Sequence, residues 1–192
     1  RLAYSFAILL RPSFRQPATM PTYILGISAF YHDSAAALLC DGEIVAAAQE
    51  ERFTRVKHDR RFPVNAINYC LEEAMIDPDE IEAIVFYDDP VLTTDRILKT
   101  LAGAGEAGRE QWMSGAQGLL AAKLQIPRLV RDELGLDVPV LFTEHHFSHA
   151  ASAFFPSPFD EAAILSIDGV GEWATTTLGR GVGNRVSIEQ EI

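Results

Sequence analysis

Cysteine and cationic side chains are both scarce in this chain of 192 residues. Cys40 and Cys70 are its two cysteines, and they lie in apolar segments without a CxxC spacing. This excludes a disulfide-rich scaffold and predicts two reduced core thiols in a cytoplasmic protein. Lys and Arg number 16 against 27 Asp and Glu, which gives a formal net charge of −11. Because this charge repels phosphate backbones and anionic lipid, we expect no nucleic-acid partner and no membrane binding.

Long apolar runs are missing as well. None reaches the roughly 18 residues that a membrane-spanning helix needs, so no membrane segment is expected. Residues 1–19 contain a short apolar run without an initiating Met, and a strand-like pattern begins soon after Met20. We therefore predict that residues 1–19 are an upstream extension that is not native. Residues 20–192 are then the N-terminal portion of a longer, truncated domain.

The composition, 48% apolar and 22% charged, is that of a globular protein. Apolar runs and turn residues alternate along the chain as in an α/β fold. The predicted strands lie at 23–28, 35–39, 43–48, 81–87 and 138–142, with a tight turn at Asp41-Gly42. The predicted helices follow Pro63, cover most of 91–134 with interruptions at Gly103, Gly105 and Pro127, and occupy 143–155.

The last segment repeats the pattern of the first. Strands are predicted at 162–167 and 173–178 with a Gly-bearing turn between them, and a turn at 181–184 leads toward a third strand. Residues 185–192 look like the opening of that strand, with no partner left for it. Two strand-turn-strand units suggest a duplicated architecture, although such units also recur by coincidence.

Candidate metal ligands are concentrated in residues 143–172. His145 and His149 are four residues apart, so both imidazoles project from one face of a helix. Asp168 lies at the end of a clearly predicted apolar strand, on the first residue of a Gly-containing turn. Two His and one carboxylate are a ligand set that suits Fe, Zn or Mn. The HxxxH spacing alone also arises by chance. Three of the chain's five histidines fall within residues 145–149, however, and this favours a metal site.

Other readings of this region lack their key residues. A zinc peptidase needs HExxH, but His146 stands where the Glu belongs. No Walker A motif and no helix-opening GxGxxG occurs, which argues against P-loop and dinucleotide-binding proteins. Gly169 and Gly171 allow a tight turn that presents N–H groups to phosphate oxygens, so we assign them as candidate nucleotide-binding residues. An ordinary hairpin turn is the alternative.

Three separated segments resemble a known family. They are GISAFYHDSAAALLCDGEIVAAAQEERFTRVKHD at 26–59, EHHFSHAASAFFPSPF at 144–159 and ILSIDGVGEWATTTLG at 164–179. In this order they are similar to the O-carbamoyltransferases of antibiotic and nodulation-factor biosynthesis. The resemblance implies an α/β actin/sugar-kinase-like (ribonuclease H-like) ATPase fold, related to the universal tRNA threonylcarbamoyl-transferring protein. This chain would hold the first half and the start of the duplicated second half.

The resemblance also implies an activity and roles for residues. Family members form carbamoyl-adenylate from carbamoyl phosphate and ATP in a C-terminal domain, and then transfer the carbamoyl group to a hydroxyl of a small-molecule acceptor. By resemblance His145, His149 and Asp168 bind a divalent metal that grips the adenylate phosphate, with iron implied and Zn or Mn as alternatives. His32 matches the position proposed to help activate the acceptor hydroxyl.

Several alternatives stay open at this point. His32 is equally a loop histidine bonded to Asp33, and Arg52, Arg55 and Lys57 either meet substrate oxygens or belong to a solvated loop. A tRNA threonylcarbamoyl transferase-like protein, another kinase-like ATPase and a non-catalytic metal-binding fragment are the alternative functions. The absence of a basic surface favours the small-molecule enzyme. Since the family's remaining metal ligand and adenylate-forming domain correspond to positions beyond Ile192, we expect this chain alone to be inactive.

Overall fold

A computed structural model describes residues 20–192, without the side chains of residues 107 and 111–123. The predicted upstream extension at 1–19 lies outside the described residues. The described part of the chain contains two antiparallel meanders, two further strands that pair parallel, and the helices that connect them. The site discussed below forms where the two meanders approach each other.

The first sheet contains five strands. They are β1 (Tyr23–Ser28), β2 (Ala35–Cys40), β3 (Glu43–Gln49), β4 (Ile81–Phe86) and β5 (Val140–Phe142), in the spatial order β3-β2-β1-β4-β5. The first three strands pair antiparallel, whereas β4 is parallel to β1 and β5 is parallel to β4. This order and these directions are those of a ribonuclease H-like half of the actin/sugar-kinase-like fold. The predicted α/β fold class is therefore confirmed, and the predicted hairpin turn lies at Asp41-Gly42.

Among residues 20–192, five α-helices connect the strands. They are α1 (Glu51–Thr54), α2 (Val64–Ala74), α3 (Pro90–Ala122), α4 (Ile126–Leu134) and α5 (His145–Phe154), with 3-10 turns at Pro78–Glu80 and Lys123–Gln125. Gly105 interrupts α3 with a non-helical backbone. The main core joins the sheet to α2 and α4 through Leu25, Ile27, Leu38, Ile67, Cys70, Ile84, Phe86, Ile126 and Val130. Burial of these apolar side chains is the chief stabilising contribution to this half of the structure.

The second sheet contains β6 (Glu161–Ile167), β7 (Thr176–Val182) and β8 (Arg185–Glu191) in that spatial order, all antiparallel. It repeats the β1–β3 meander, as the duplicated pattern predicts. The expectation that residues 185–192 lack a partner is wrong, because β8 pairs with β7 from Val182 opposite Arg185 to Thr177 opposite Glu191. The tight turn between β7 and β8 makes this pairing local, so β8 needs no strand from elsewhere.

The predicted boundaries of the second strand and of the following turn in this sheet are wrong, and Gly181 shows the reason. The pattern placed a strand at 173–178 and a turn at 181–184, but β7 runs from Thr176 to Val182. A Cβ at Gly181 would lie 2.5 Å from the ring of Phe154, which packs on the sheet from α5. Gly181 pairs with Ala162 and Val186, which places it within β7, and the Phe154 ring leaves space at this position for glycine alone. Within the predicted turn at 181–184, Gly183, with φ of 57°, adopts the left-handed conformation.

Replacing Gly181 by Ala should destabilise the second sheet. The added methyl group has no space against the buried Phe154 ring, so we expect the free energy of unfolding to fall by about 1–3 kcal/mol. Urea unfolding measures this change. Gly103→Ala is the control, because a Cβ there meets nothing within 4 Å and the residue lies in α3. Equal stability of the Gly181→Ala and Gly103→Ala variants would contradict the packing described for α5.

Both cysteines are free thiols, as predicted. Cys70 is fully buried in the main core and Cys40 is half-buried at the end of β2. Within residues 20–192, no helix has the combination of length and apolarity that crossing a bilayer requires.

Candidate functional site

Three predicted metal ligands come together at the start of α5. The helix begins at His145, so His145 and His149 lie one turn apart on the same face, and Asp168 directly follows β6 beside them. Nε2 of His145 lies 2.6 Å from Oδ2 of Asp168, and Nε2 of His149 lies 3.4 Å from the same oxygen. The two Nε2 atoms are 3.1 Å apart. Three donor atoms from two secondary-structure elements thus point to one small volume.

The donor set fits a divalent cation. All three ligand atoms lie within 4.8 Å of one another, and imidazole with carboxylate is a donor set used for Fe, Zn and Mn. Burial by itself would raise the pKa of Asp168, but hydrogen bonds from His145 and the Gly169 backbone lower it to about 2. The carboxylate is therefore ionised under ordinary conditions. The side chain of His145 is 13% exposed and that of His149 is 51% exposed, so the cluster is open to solvent on the His149 side.

Glu172, a residue not predicted to be part of the site, connects its own turn after β6 to the start of α5 and to the segment that contains Asp89. Its Oε2 accepts a hydrogen bond of 3.0 Å from the backbone N–H of His145, and its Oε1 accepts one from the backbone N–H of Asp89. Burial raises the pKa of Glu172, while these two donors oppose the shift. The sequence signal was present in the Asp-Gly-x-Gly-Glu pattern. Its partner Asp89, however, lies 83 residues away and is paired only by the fold.

Removal of the Glu172 carboxylate should loosen the cluster. In Glu172→Ala the backbone N–H groups of Asp89 and His145 lose their acceptor, and we expect unfolding free energy to fall by about 1–3 kcal/mol. Thermal or urea unfolding measures the change. Glu189→Ala is the matched control because Glu189 is an exposed carboxylate on β8. A Glu172→Ala variant as stable as Glu189→Ala would contradict a bridging role.

The two predicted nucleotide-binding glycines have different environments. Gly169 is exposed with open space where a Cβ would lie, and its N–H donates a 2.6 Å hydrogen bond to Oδ1 of Asp168. Gly171 is buried, and a Cβ there would overlap the carbonyl oxygen of Ala174 and come within 3.1 Å of His146 Nε2. Gly171 is therefore required for the close path of the turn, whereas Gly169 is accessible from outside.

His146 is the third histidine of the run and has another environment. It is 6% exposed, and neither ring nitrogen has a hydrogen-bond partner among the described residues. Burial, with the neighbouring His145 and His149, lowers its pKa. Its donor atoms are not grouped with those of the His145, His149 and Asp168 cluster.

His32 lies in the loop between β1 and β2, where it forms a second polar group with Asp33 and His58. Its Nδ1 is 2.8 Å from Oδ2 of Asp33, and Nδ1 of His58 is 2.9 Å from Oδ1 of the same carboxylate. His58 was not singled out from the sequence, because its 25-residue separation from Asp33 gives no local pattern. Arg52, Arg55 and Lys57 are exposed on and after α1.

A cavity of about 160 Å³ joins the His32 loop to the metal-ligand cluster. Tyr31 and His145 both line it, together with the buried carboxylates Asp88 and Glu172. The Tyr31 ring contacts the His32 ring at a centroid distance of 4.5 Å, and the Tyr87 ring contacts His145 at 5.6 Å. The first and second meanders thus meet at one cleft.

Two curated proteins are similar to this chain over most of its length. An uncharacterized protein of Synechocystis sp., sll1178, is 54% identical over 179 residues, covering 89% of this chain and 29% of that protein. Nodulation protein NolNO of Sinorhizobium fredii is 36% identical over 160 residues, covering 82% of this chain and 22% of that protein. The chain therefore spans less than a third of the length of these curated relatives.

Among solved structures, an uncharacterized Pseudomonas aeruginosa protein with similarity to peptidase YEAZ aligns with a TM-score of 0.44 and 14% identity, over 88% of this chain and 64% of that one. The Aquifex aeolicus PPX-GPPA enzyme aligns with a TM-score of 0.37 and 14% identity, over 88% and 52%. The family model described as "Carbamoyltransferase N-terminus" matches residues 23–192. This chain belongs to the carbamoyltransferase family.

Proposed function

We propose that this chain is part of an O-carbamoyltransferase that transfers a carbamoyl group from carbamoyl-adenylate to a hydroxyl of a small-molecule acceptor. The supporting observation is the cluster of His145, His149 and Asp168 at a cleft of a carbamoyltransferase-family chain. Carbamoyl-adenylate would be made from carbamoyl phosphate and ATP in a part of the protein outside this chain. Those two compounds are intracellular metabolites, and we assign the enzyme to the cytoplasm.

His145, His149 and Asp168 would hold a divalent metal, with iron preferred by family resemblance over Zn or Mn. When bound, the metal supplies positive charge that neutralises the phosphate of the leaving AMP. Asp168 contributes an ionised carboxylate, and Glu172 holds the start of α5 in position through the His145 N–H. The adenylate phosphate would lie near Gly169, where the backbone is exposed and no side chain blocks approach.

His32 would act as the general base. The acceptor oxygen forms a bond to the carbamoyl carbon, the bond from that carbon to the phosphate oxygen breaks, and AMP leaves with the bonding electrons. The hydroxyl proton passes to Nε2 of His32, because Nδ1 faces Asp33. The proposal is supported by the cavity that Tyr31, the neighbour of His32, lines together with the metal ligand His145.

The charge of the chain supports a small acceptor over tRNA. The net charge of −11 opposes binding of a polyanion, and Arg52, Arg55 and Lys57 form only a short exposed cationic segment. A hydroxyl-bearing small molecule needs no extended basic surface.

The test is carbamoyl transfer by the full-length gene product. Radiolabelled carbamoyl phosphate, ATP and a panel of hydroxyl-bearing small molecules should give a labelled carbamate ester together with AMP. The chain of residues 1–192 alone should form no ester, since it would depend on the remaining protein for the adenylate. Absence of both AMP and labelled ester with the full-length protein would overturn the proposal.

A further inference from the structure

The polar group around Asp33 is built from two loops. The β1–β2 loop contributes His32 and Asp33, and the segment after α1 contributes His58. Each carboxylate oxygen of Asp33 accepts from a different imidazole, and the hydrogen bond from His58 is the main reason that the pKa of Asp33 is lowered. Glu51 in turn accepts the backbone N–H of His58 at 2.9 Å.

Backbone contacts lock these loops together. Phe30 N–H donates to the carbonyl of Arg60 at 2.9 Å, and Ser34 N–H donates to the carbonyl of Asp59 at 2.7 Å. Asp59 is buried and accepts hydrogen bonds from Arg61 and Thr54. The loop that carries His32 is therefore clamped at both ends to the loop that carries His58.

Asp33 and His58 both adopt left-handed backbone conformations, with φ of 52° and 56°. Asp and His adopt this region more often than most residues with a Cβ, and the backbone contacts between the two loops hold both residues in it. The Asp33 carboxylate thereby lies between the imidazoles of His32 and His58.

We infer that Asp33 is the positioning residue for His32 and that His58 holds Asp33 in place from the other side. The inference rests on the proposed function in assigning His32 as the general base. A carboxylate oxygen can only accept, so Nδ1 of the neutral His32 ring carries the proton and Nε2 keeps the lone pair that removes a proton from the acceptor. His58 occupies the second oxygen of Asp33 and prevents the carboxylate from rotating away.

A cation at Asp33, Glu51 and His58 is the competing explanation, because their donor atoms also lie within 4.8 Å of one another. Both Asp33 oxygens already accept hydrogen bonds from imidazoles, and Glu51 accepts the His58 N–H. These bonds account for the arrangement without an ion.

A double-mutant cycle in the full-length protein tests the inference. Asp33→Asn should lower kcat for carbamate ester formation by roughly 10- to 100-fold with KM unchanged, since the base is retained but its orientation is lost. His58→Asn should lower kcat less than Asp33→Asn. In a His32→Gln background, Asp33→Asn should change kcat by less than about twofold, because Asp33 acts through His32. A full Asp33→Asn effect in that background, or none in the wild-type background, would overturn the inference.

A second measurement does not depend on carbamoyl transfer. Diethyl pyrocarbonate modifies the unprotonated imidazole nitrogen, and mass spectrometry reports its rate at His32 at about pH 8. Asp33→Asn should slow this modification several-fold, while Asp137→Asn, at an exposed carboxylate 88% accessible, should leave it unchanged. An unchanged His32 rate in Asp33→Asn refutes the positioning role. If the wild-type protein forms no ester but its His32 rate depends on Asp33, the proposed function fails and the positioning of His32 stands.

Discussion

Replacing His145 and His149 together by Ala should reduce bound divalent metal from about one ion per chain to nearly none. Asp168 is then the single donor left of the three, and one monodentate carboxylate at a partly exposed site does not retain a transition metal against buffer. The wild-type site should itself exchange its ion readily. It offers three protein ligands and is open to solvent on the side of the half-exposed His149. Equilibrium dialysis against Fe²⁺, Zn²⁺ or Mn²⁺, with elemental analysis of both compartments, measures the bound metal without removing the free ion.

His58→Ala is the matched control for this experiment. It removes an exposed imidazole from the Asp33, Glu51 and His58 group and leaves the α5 cluster intact, so metal content should remain at the wild-type level. Equal metal content in the wild type and the His145→Ala/His149→Ala variant would refute the assignment. Loss of metal in His58→Ala alone would move the site to the Asp33 group.

His32→Gln in the full-length protein should lower kcat for carbamate ester formation by roughly 10²–10⁴-fold, the usual contribution of a positioned general base. Gln keeps polarity and approximate size but cannot take up a proton. Because His32 belongs to the β1–β2 loop and not to the cluster on α5, bound metal should be unchanged. Parallel measurement of ester formation and metal content separates loss of the base from loss of the metal site.

The assay must follow the ester and not AMP, because water can attack carbamoyl-adenylate without a base. Asp137→Asn serves as the control for expression and folding, since its side chain is exposed on the loop before β5. A His32→Gln variant with near-normal ester formation from pH 6 to 9 would leave His32 a structural partner of Asp33. The base would then lie elsewhere in the protein.

Local sequence patterns determined most of the elements and two of the three residues of the metal cluster. Alternating apolar residues around Asp41-Gly42 identify the β2–β3 hairpin, and Pro63 with apolar residues at helical spacing identifies α2. The HxxxH spacing places His145 and His149 on one helix face because the helical repeat is a local property. The boundaries of these elements are set by hydrogen bonds between near neighbours, which the sequence encodes within a few residues.

The tertiary structure decided most of the contacts between distant groups. The contact of Asp168 with His145 spans 23 residues, that of Asp33 with His58 spans 25, and that of Glu172 with Asp89 spans 83. The Asp168 contact was predicted because each partner lies at the end of a recognisable element. His58 gave no comparable signal, and the Asp-Gly-x-Gly-Glu turn that contains Glu172 does not identify Asp89 as its partner. A hydrogen bond to a remote loop imposes no periodicity on the intervening residues.

The second sheet shows most clearly which features follow from local sequence patterns and which follow from tertiary packing. The sequence alone indicates a repeated strand-turn-strand unit, because alternation and turn residues are local. It places Gly181 in a turn, since glycine is a frequent turn residue. The fold places it in β7, paired with Ala162 and Val186, and a glycine is needed there because Phe154 of α5 leaves no space for a Cβ. The helix α5, which packs on Gly181 through Phe154, also contains His145 and His149. The position of these metal ligands therefore depends on packing between α5 and the second sheet, which exists only in the folded chain.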